Sequence, residues 1–368
     1  MLDDAVLTQG RQTKRKWKYV GMLLVAALLC IGGAWIMIHP EIMEETIADL
    51  RKKLLVKSSE AWIPLSWTGD VYDVTGEMVI GAGDGCICVS DLEGRMLYRL
   101  DVDIKSPQIV SNDQYAVIYE ADGTELVLVE KTDYKILEVS GGVELAVPGS
   151  NGEVAIITDG SGFLTMTKLL MSTGEEVKRI GFTDQAMAMM VYLADGTLAS
   201  CCVNLSGQWG LRFDTRENEL EVPLFEEIIY EVKPCDDGVA LWSSEGIRFY
   251  DTDGNQRGQY VMRDDMLLDW DCGDYAALVI RRFGKYRLLI VTPEGDIVAE
   301  HLLSELPRKL LVCGNRICML DSEALLVYDN KGVLLERSNC GARAGDMMAA
   351  ADGLLLFGDG EMLYHQIP

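Results

Sequence analysis

Histidine is scarce in this chain: 368 residues hold three, His39, His301 and His365, far apart from one another. That scarcity argues against a histidine-based metal site or a histidine-activated nucleophile, since both need imidazoles or their partners brought together. None of the ten cysteines forms a C-x-x-C pair, so neither a zinc ribbon nor a thioredoxin-like redox site is supported. Apolar residues at helical spacing are missing after Val56, which excludes an α/β architecture. Positive charge is short as well, with 33 Lys and Arg against 58 Asp and Glu and a net charge of −25. A chain this acidic repels phosphate backbones and anionic lipid surfaces, so nucleic acid is excluded as a partner and cationic partners are favoured.

Charge of either sign is absent from Tyr19 to Ile38. A helix over residues 19–38, rising about 1.5 Å per residue, crosses a hydrocarbon core of roughly 30 Å. Trp17, Tyr19 and Trp35 sit at its ends, where amphipathic rings favour the headgroup boundary, and Pro40 follows it. Arg11, Lys14, Arg15, Lys16 and Lys18 precede the span, whereas the first charges after it are Glu41, Glu44, Glu45 and Asp49. The positive-inside bias therefore makes 1–18 a basic cytoplasmic tail and puts the bulk of the chain outside the cytoplasm, in a single-pass arrangement at the cell membrane. A cleaved signal peptide is the competing reading, but the apolar run is longer than such signals use and no small-x-small site follows it. Cys30 is preceded by Leu29 rather than by the small residue of a lipidation signal. Residues 39–60 form a stalk in which Met43, Ile47, Leu50 and Leu54 recur at helical spacing on a charged background.

The remainder, 61–368, is governed by repetition. Gly85–Leu100 reads GCICVSDLEGRMLYRL: an alternating strand, an Asp-x-x-Gly turn and a second alternating strand. The phrase returns as GIRFYDTDGNQRGQY from Gly246, YRLLIVTPEGDIVAE from Tyr286 and EALLVYDNKGVLLER from Glu323, with degraded copies from Glu125, Phe163 and Trp209. Turn glycines Gly94, Gly174, Gly254, Gly295 and Gly332 mark a period of about 40 residues, the length of a four-stranded propeller blade. Another alternating segment lies ahead of each phrase and supplies inner strands. The last pair, from Gly353 and from Glu361, lacks an outer strand, and Trp62–Trp67 is placed to lend one. Borrowing of that kind closes the ring and removes an open sheet edge. The expected fold is all-β: a β-propeller of eight four-stranded blades, with seven as the alternative, preceded by one transmembrane helix and a short stalk helix.

This repeat resembles the blades of the quinoprotein alcohol dehydrogenase-like superfamily, the PQQ-like repeat propellers, over roughly Trp62 to Pro368. It is also similar to bacterial single-pass membrane propellers grouped only as a domain of unknown function. The resemblance implies a WD40-like ring and leaves activity open, because propeller blades host unrelated functions. Two departures bear on activity. Blades of that superfamily close with a Trp after the turn, whereas Tyr98 and Tyr260 stand here. The quinoproteins also carry a vicinal cysteine pair over their cofactor; Cys201-Cys202 is such a pair but falls inside a strand, TLASCCVN, without the accompanying calcium-binding set.

Other residues read as structure. Cys86 and Cys88 share one face of a strand, and Cys313 and Cys318 flank a Gly314-Asn315 turn, which makes them the candidate bridge among cysteines otherwise expected to be small buried hydrophobes. Asp251, Asp253 and Asn255 superficially match a calcium loop, but Gly254 comes too early for an EF-hand and a hairpin turn is favoured. Met187, Met189 and Met190 read as core packing. No catalytic, cofactor-binding or metal-ligating residue is assigned, and no cofactor is expected. The expected function is therefore a non-enzymatic binding or scaffolding module of the cell envelope with an envelope protein as partner. The alternatives are an envelope enzyme, quinoprotein-like or glycan-acting, using carboxylates at the propeller mouth, and a transmembrane sensor.

Overall fold

The computed structural model describes residues 56–57, 62–65, 67 and 70–367, except Ser161, Arg216, Glu217, Asn218, Gly341 and Asp352. The expected tail, membrane helix and stalk helix lie outside the described residues. What is described is built from strands, and no helix among these residues is long and apolar enough to cross a membrane.

Eight antiparallel sheets follow one another along the chain. Blade 1 spans 71–101 and comprises Val71–Thr75, Met78–Gly83, Cys86–Asp91 and Met96–Asp101, each hydrogen-bonded to the next. Blades 2 to 8 span 107–138, 143–182, 185–225, 229–261, 266–303, 309–338 and 346–366. The first strand of every blade lies against the first strand of the next, and Val71–Thr75 also lies against Asp346–Ala350, so the ring closes on itself with eight members. Blade 8 contributes three strands of its own. Its fourth is Ile63–Pro64, paired antiparallel with Glu361–Gln366 through Ile63 opposite Met362 and Pro64 opposite Glu361. Val56–Lys57 adds a fifth strand, parallel, to the outer edge of blade 7.

The sequence pattern follows from this stacking. Middle strands such as Ala116–Glu120 and Leu325–Asp329 are buried on both faces, because each blade is covered by two neighbours, and they read as apolar runs. Outer strands such as Met96–Asp101 and Ile297–Leu303 have more water around them and alternate. Apolar burial is accordingly divided into eight slabs, one at each blade interface. Ile80, Ile87, Ile118 and Val127 fill the slab between blades 1 and 2, and Val79, Leu355, Phe357 and Met362 that between blades 8 and 1.

The Asp-x-x-Gly phrases form the hairpins between third and fourth strands. In blade 7 the amide of Gly332 donates to the Asp329 carbonyl at 3.0 Å, while Asp329 Oδ1 accepts the amides of Lys331 and Val333 at 2.9 and 2.7 Å. The ladder shifts register just before the turn, between Val327 and Tyr328, as expected of a type I turn closed by a bulge with glycine in the left-handed region. Gly295 has φ +90, and a Cβ there would stand 2.3 Å from the Gln259 carbonyl oxygen of blade 5, so the position is closed to side chains twice over. After the turn of blade 1, Tyr98 Oη donates to the Glu130 and Asp133 carbonyls of blade 2 at 2.6 and 2.9 Å. Tyr260 Oη donates to Asp265 at 2.7 Å.

Candidate functional site at the channel mouth

The first strand of each blade has a sheet neighbour on one side only, so its free edge presents backbone donors that need partners. Around blades 5 to 7 carboxylates meet this need. Asp269, at a bulge in the first strand of blade 6, accepts the Leu310 amide of blade 7 at 3.0 Å, and Asp271 accepts that of Val312 at 2.8 Å. Lys233 of blade 5 donates to the Trp270 carbonyl at 2.8 Å and to Asp271 at 3.3 Å, and Trp270 Nε1 donates to Glu231 at 2.6 Å. Burial raises the Asp73 and Asp269 carboxyls above the usual range, partly offset by the hydrogen bonds they accept.

The turns that leave these first strands form one mouth of the channel. Three consecutive blades carry a cysteine as the last residue of the first strand: Cys235, Cys272 and Cys313. Cys235 and Cys272 are joined by a disulfide, with Cα atoms 5.5 Å apart and a sequence separation of 37. Beside the bridge, the Asp236 carboxyl is raised to about 6, first by a hydrogen bond to the Asp274 carboxyl, then by burial and by the charges of Asp274 and Asp237. These groups line a cavity of about 280 Å³ that also takes in Arg257, Tyr275 and Glu294. Arg257 pairs with Glu294 at 2.8 Å and lies 3.8 Å from Asp237. Farther round the mouth, Cys313, Asn315, Arg316, Ala350 and Asp113 line a second cavity of about 470 Å³.

The bridge corrects the sequence-based expectation. Cys313 and Cys318 are both thiols. They are diagonal across the hairpin, since Cys318 stands opposite Leu311, and Cys318 is raised well above the ordinary thiol value first by a hydrogen bond with Cys313 and then by burial. The pairing of Cys235 with Cys272 joins two blades and leaves no short motif in the sequence; their separation of 37 residues, close to the blade period, is the signal that carries it.

The remaining singled-out residues fall as follows. Cys201 and Cys202 are buried in one strand of blade 4 and point to opposite slabs, toward blades 5 and 3, so the vicinal pair does not present two sulfurs to one ligand. Burial pushes the Cys201 thiol up to about 12. Cys86 and Cys88 share a face with their sulfurs 4.0 Å apart. Asp251 accepts the amide of Asn255 at 2.7 Å and its side-chain amide at 3.1 Å, so its carboxylate is occupied by the hairpin turn. Met187 and Met190 pack between blades 3 and 4. His301 stacks on Tyr328 in the slab between blades 6 and 7, and His365 of blade 8 lies buried 3.1 Å from Glu336 of blade 7.

No family model matches the chain, and no curated protein matches it. Solved structures do. BamB from Moraxella catarrhalis is 13% identical with a TM-score of 0.53, over 84% of this chain and 99% of that one. Apo AztD from Citrobacter koseri is 12% identical with a TM-score of 0.52, over 73% of this chain and 85% of that one. The dihydro-heme d1 dehydrogenase NirN, in complex with DHE, is 15% identical with a TM-score of 0.50, over 73% of this chain and 65% of that one. At these identities the likeness establishes the eight-bladed propeller. It does not carry activity, and the range of proteins that share the fold illustrates why function must be argued from the site.

Proposed function

We propose that this chain is a non-enzymatic binding platform of the cell envelope whose channel mouth takes a cationic segment of an envelope protein. The observation that carries the reading is the composition of the mouth between blades 5 and 6. Asp236, Asp237, Asp274 and Glu294 surround one cavity in which Arg257 is the lone cation among the lining residues. Such a concave, acidic and disulfide-stapled surface favours a Lys- or Arg-bearing partner and speeds its encounter, and the acidity of the whole chain adds to the attraction. The charge-free run 19–38 and its basic flank supply the anchor, with the propeller extracytoplasmic and the N-terminus in the cytoplasm. The repeat phrase and the eight-bladed ring support grouping the chain with the PQQ-like repeat propellers.

The test is a photo-crosslinker placed at Asp237 of the full chain in intact cells, followed by identification of captured proteins. An envelope protein is expected, with capture reduced at raised ionic strength and lost in Asp236→Lys/Asp274→Lys. Recovery of no envelope protein above background, or capture indifferent to both salt and charge reversal, overturns the proposal.

A further inference from the structure

The face of the ring opposite the acidic mouth is built by the turns between second and third strands and by the loops from one blade to the next. The two most exposed large apolar side chains among the described residues stand there, Phe283 of blade 6 at 85% and Leu205 of blade 4 at 77%. Ile228, Val261, Met266 and Leu306 are exposed on the same face, at the loops that enter and leave blades 5 and 6. Among the described residues, the corresponding turns of blades 1, 2, 7 and 8, and the loops joining these four, expose no large apolar side chain. The apolar surface is thus confined to one arc.

Folding gives no reason for Phe283. Blades 1, 6 and 8 close these turns with two left-handed residues each, Asp84-Gly85, Phe283-Gly284 and Asp359-Gly360, with φ between +51 and +78. Aspartate tolerates that conformation and an aromatic does so poorly, and no burial compensates here. The same turn is basic. Arg281, Arg282 and Lys285 surround Phe283, whereas no Lys or Arg lies in, or within two residues of, the corresponding turn of any other blade. Arg282 is committed to Asp265 at 2.7 and 2.8 Å, which ties the turn to the loop from blade 5. Arg281 touches Met266 Sδ at 3.1 Å. Neither it, nor Lys285, nor Arg263 of the adjoining loop is in an ion pair among the described residues. A strained, exposed aromatic framed by uncommitted cations fits a ligand with an anionic surface and an apolar interior.

We infer that this arc docks on a phospholipid bilayer carrying anionic headgroups. Phe283 and Leu205 enter the interface, and Arg281, Lys285 and Arg263 meet headgroup phosphates. The chain also enters the ring on this face, where Val56–Lys57 pairs with Arg337 and Ser338 at the end of the last strand of blade 7. The acidity of the whole chain opposes approach from a distance, and the cations of the turn act only within a Debye length of roughly 8 Å. Docking therefore needs a bilayer at hand and rests on the reading of 19–38 as an anchor, which supplies one. With this face on lipid, the acidic mouth on the opposite face stays open to its partner.

The experiment places the photo-crosslinker p-benzoylphenylalanine at Phe283, or for comparison at Asp237 of the mouth, in the full chain reconstituted with vesicles. The vesicles are phosphatidylcholine alone or mixed with phosphatidylglycerol. Flotation reports anchoring, and mass spectrometry of the irradiated peptides reports lipid adducts. Adducts at 283 are expected to exceed those at 237 several-fold, to rise with phosphatidylglycerol and to fall in Arg281→Glu/Lys285→Glu, whose exposed substitutions leave the melting temperature unchanged. A chain that floats but gives no more lipid adduct at 283 than at 237, or adducts indifferent to both phosphatidylglycerol and charge reversal, overturns the inference. A chain that does not float overturns the anchor reading and this inference together, while protein capture at Asp237 is scored separately.

Discussion

At the residue scale, single groups at the mouth and in the slabs differ in what surrounds them, and the differences are measurable. The hydrogen bond to Asp274, burial and the neighbouring negative charges raise the folded Asp236 carboxyl to about 6, above the ordinary aspartate value of about 3.9. The folded state therefore binds the Asp236 proton more tightly than the unfolded one, and Asp236 subtracts stability as pH rises from about 4 toward 6, then no further. Asp236→Asn keeps a neutral partner for Asp274. Its advantage over wild type is expected to grow across that window and level off at about 1 kcal/mol, since solvent at this exposed turn screens much of the interaction. Urea unfolding of both proteins at pH 4.5 and pH 7 reads the difference. Cys201, buried and pushed up to about 12, is expected to resist iodoacetamide in the native protein at pH 8 while half-buried Cys313 reacts, which a time course of alkylation resolves. Little of this was legible beforehand, because a cysteine or aspartate pairs through space with a residue one blade away and no short motif records it. Cys86 and Cys88 were legible, since strand geometry alone puts alternate residues on one face.

At the element scale, the hairpin phrase was the most readable feature of the chain. A turn that needs a left-handed residue selects glycine, and one that needs its amides capped selects Asp or Thr three residues earlier, so the signal stays local and repeats. Blade 6 shows the substitution: Thr292 Oγ1 takes the Glu294 amide at 3.2 Å, where blade 7 uses Asp329. Gly295→Ala is expected to cost at least 2 kcal/mol, combining a left-handed alanine with a clash on blade 5, and Asp329→Ala about 1 to 2 kcal/mol from uncapped amides. Midpoints of chemical denaturation check both. The division between two-sided middle strands and alternating outer strands was less legible, because the covering of each face is decided by the neighbouring blades and not by the strand itself.

At the scale of the whole molecule, the period of about 40 residues and the unfinished last blade together gave the ring and its closing strand. The disulfide adds a covalent staple to the noncovalent circle. Cys235→Ser/Cys272→Ser is expected to lower stability by about 3 to 4 kcal/mol, the loop-closure value for a span of this length, as read by thermal unfolding in the absence of reductant. Removing residues 1–65 is expected to lower the melting temperature and produce oligomers on size-exclusion chromatography, because the third strand of blade 8 is then left with a bare edge. The strand pair that joins Ile63 to Met362 also sets a timetable. With synthesis running at roughly 5 to 20 residues per second, the early strand waits tens of seconds for its mate. Until the mate emerges, the nascent polypeptide is an unfinished arc with two sticky flanks, which makes that interval the one in which a chaperone has the most to protect.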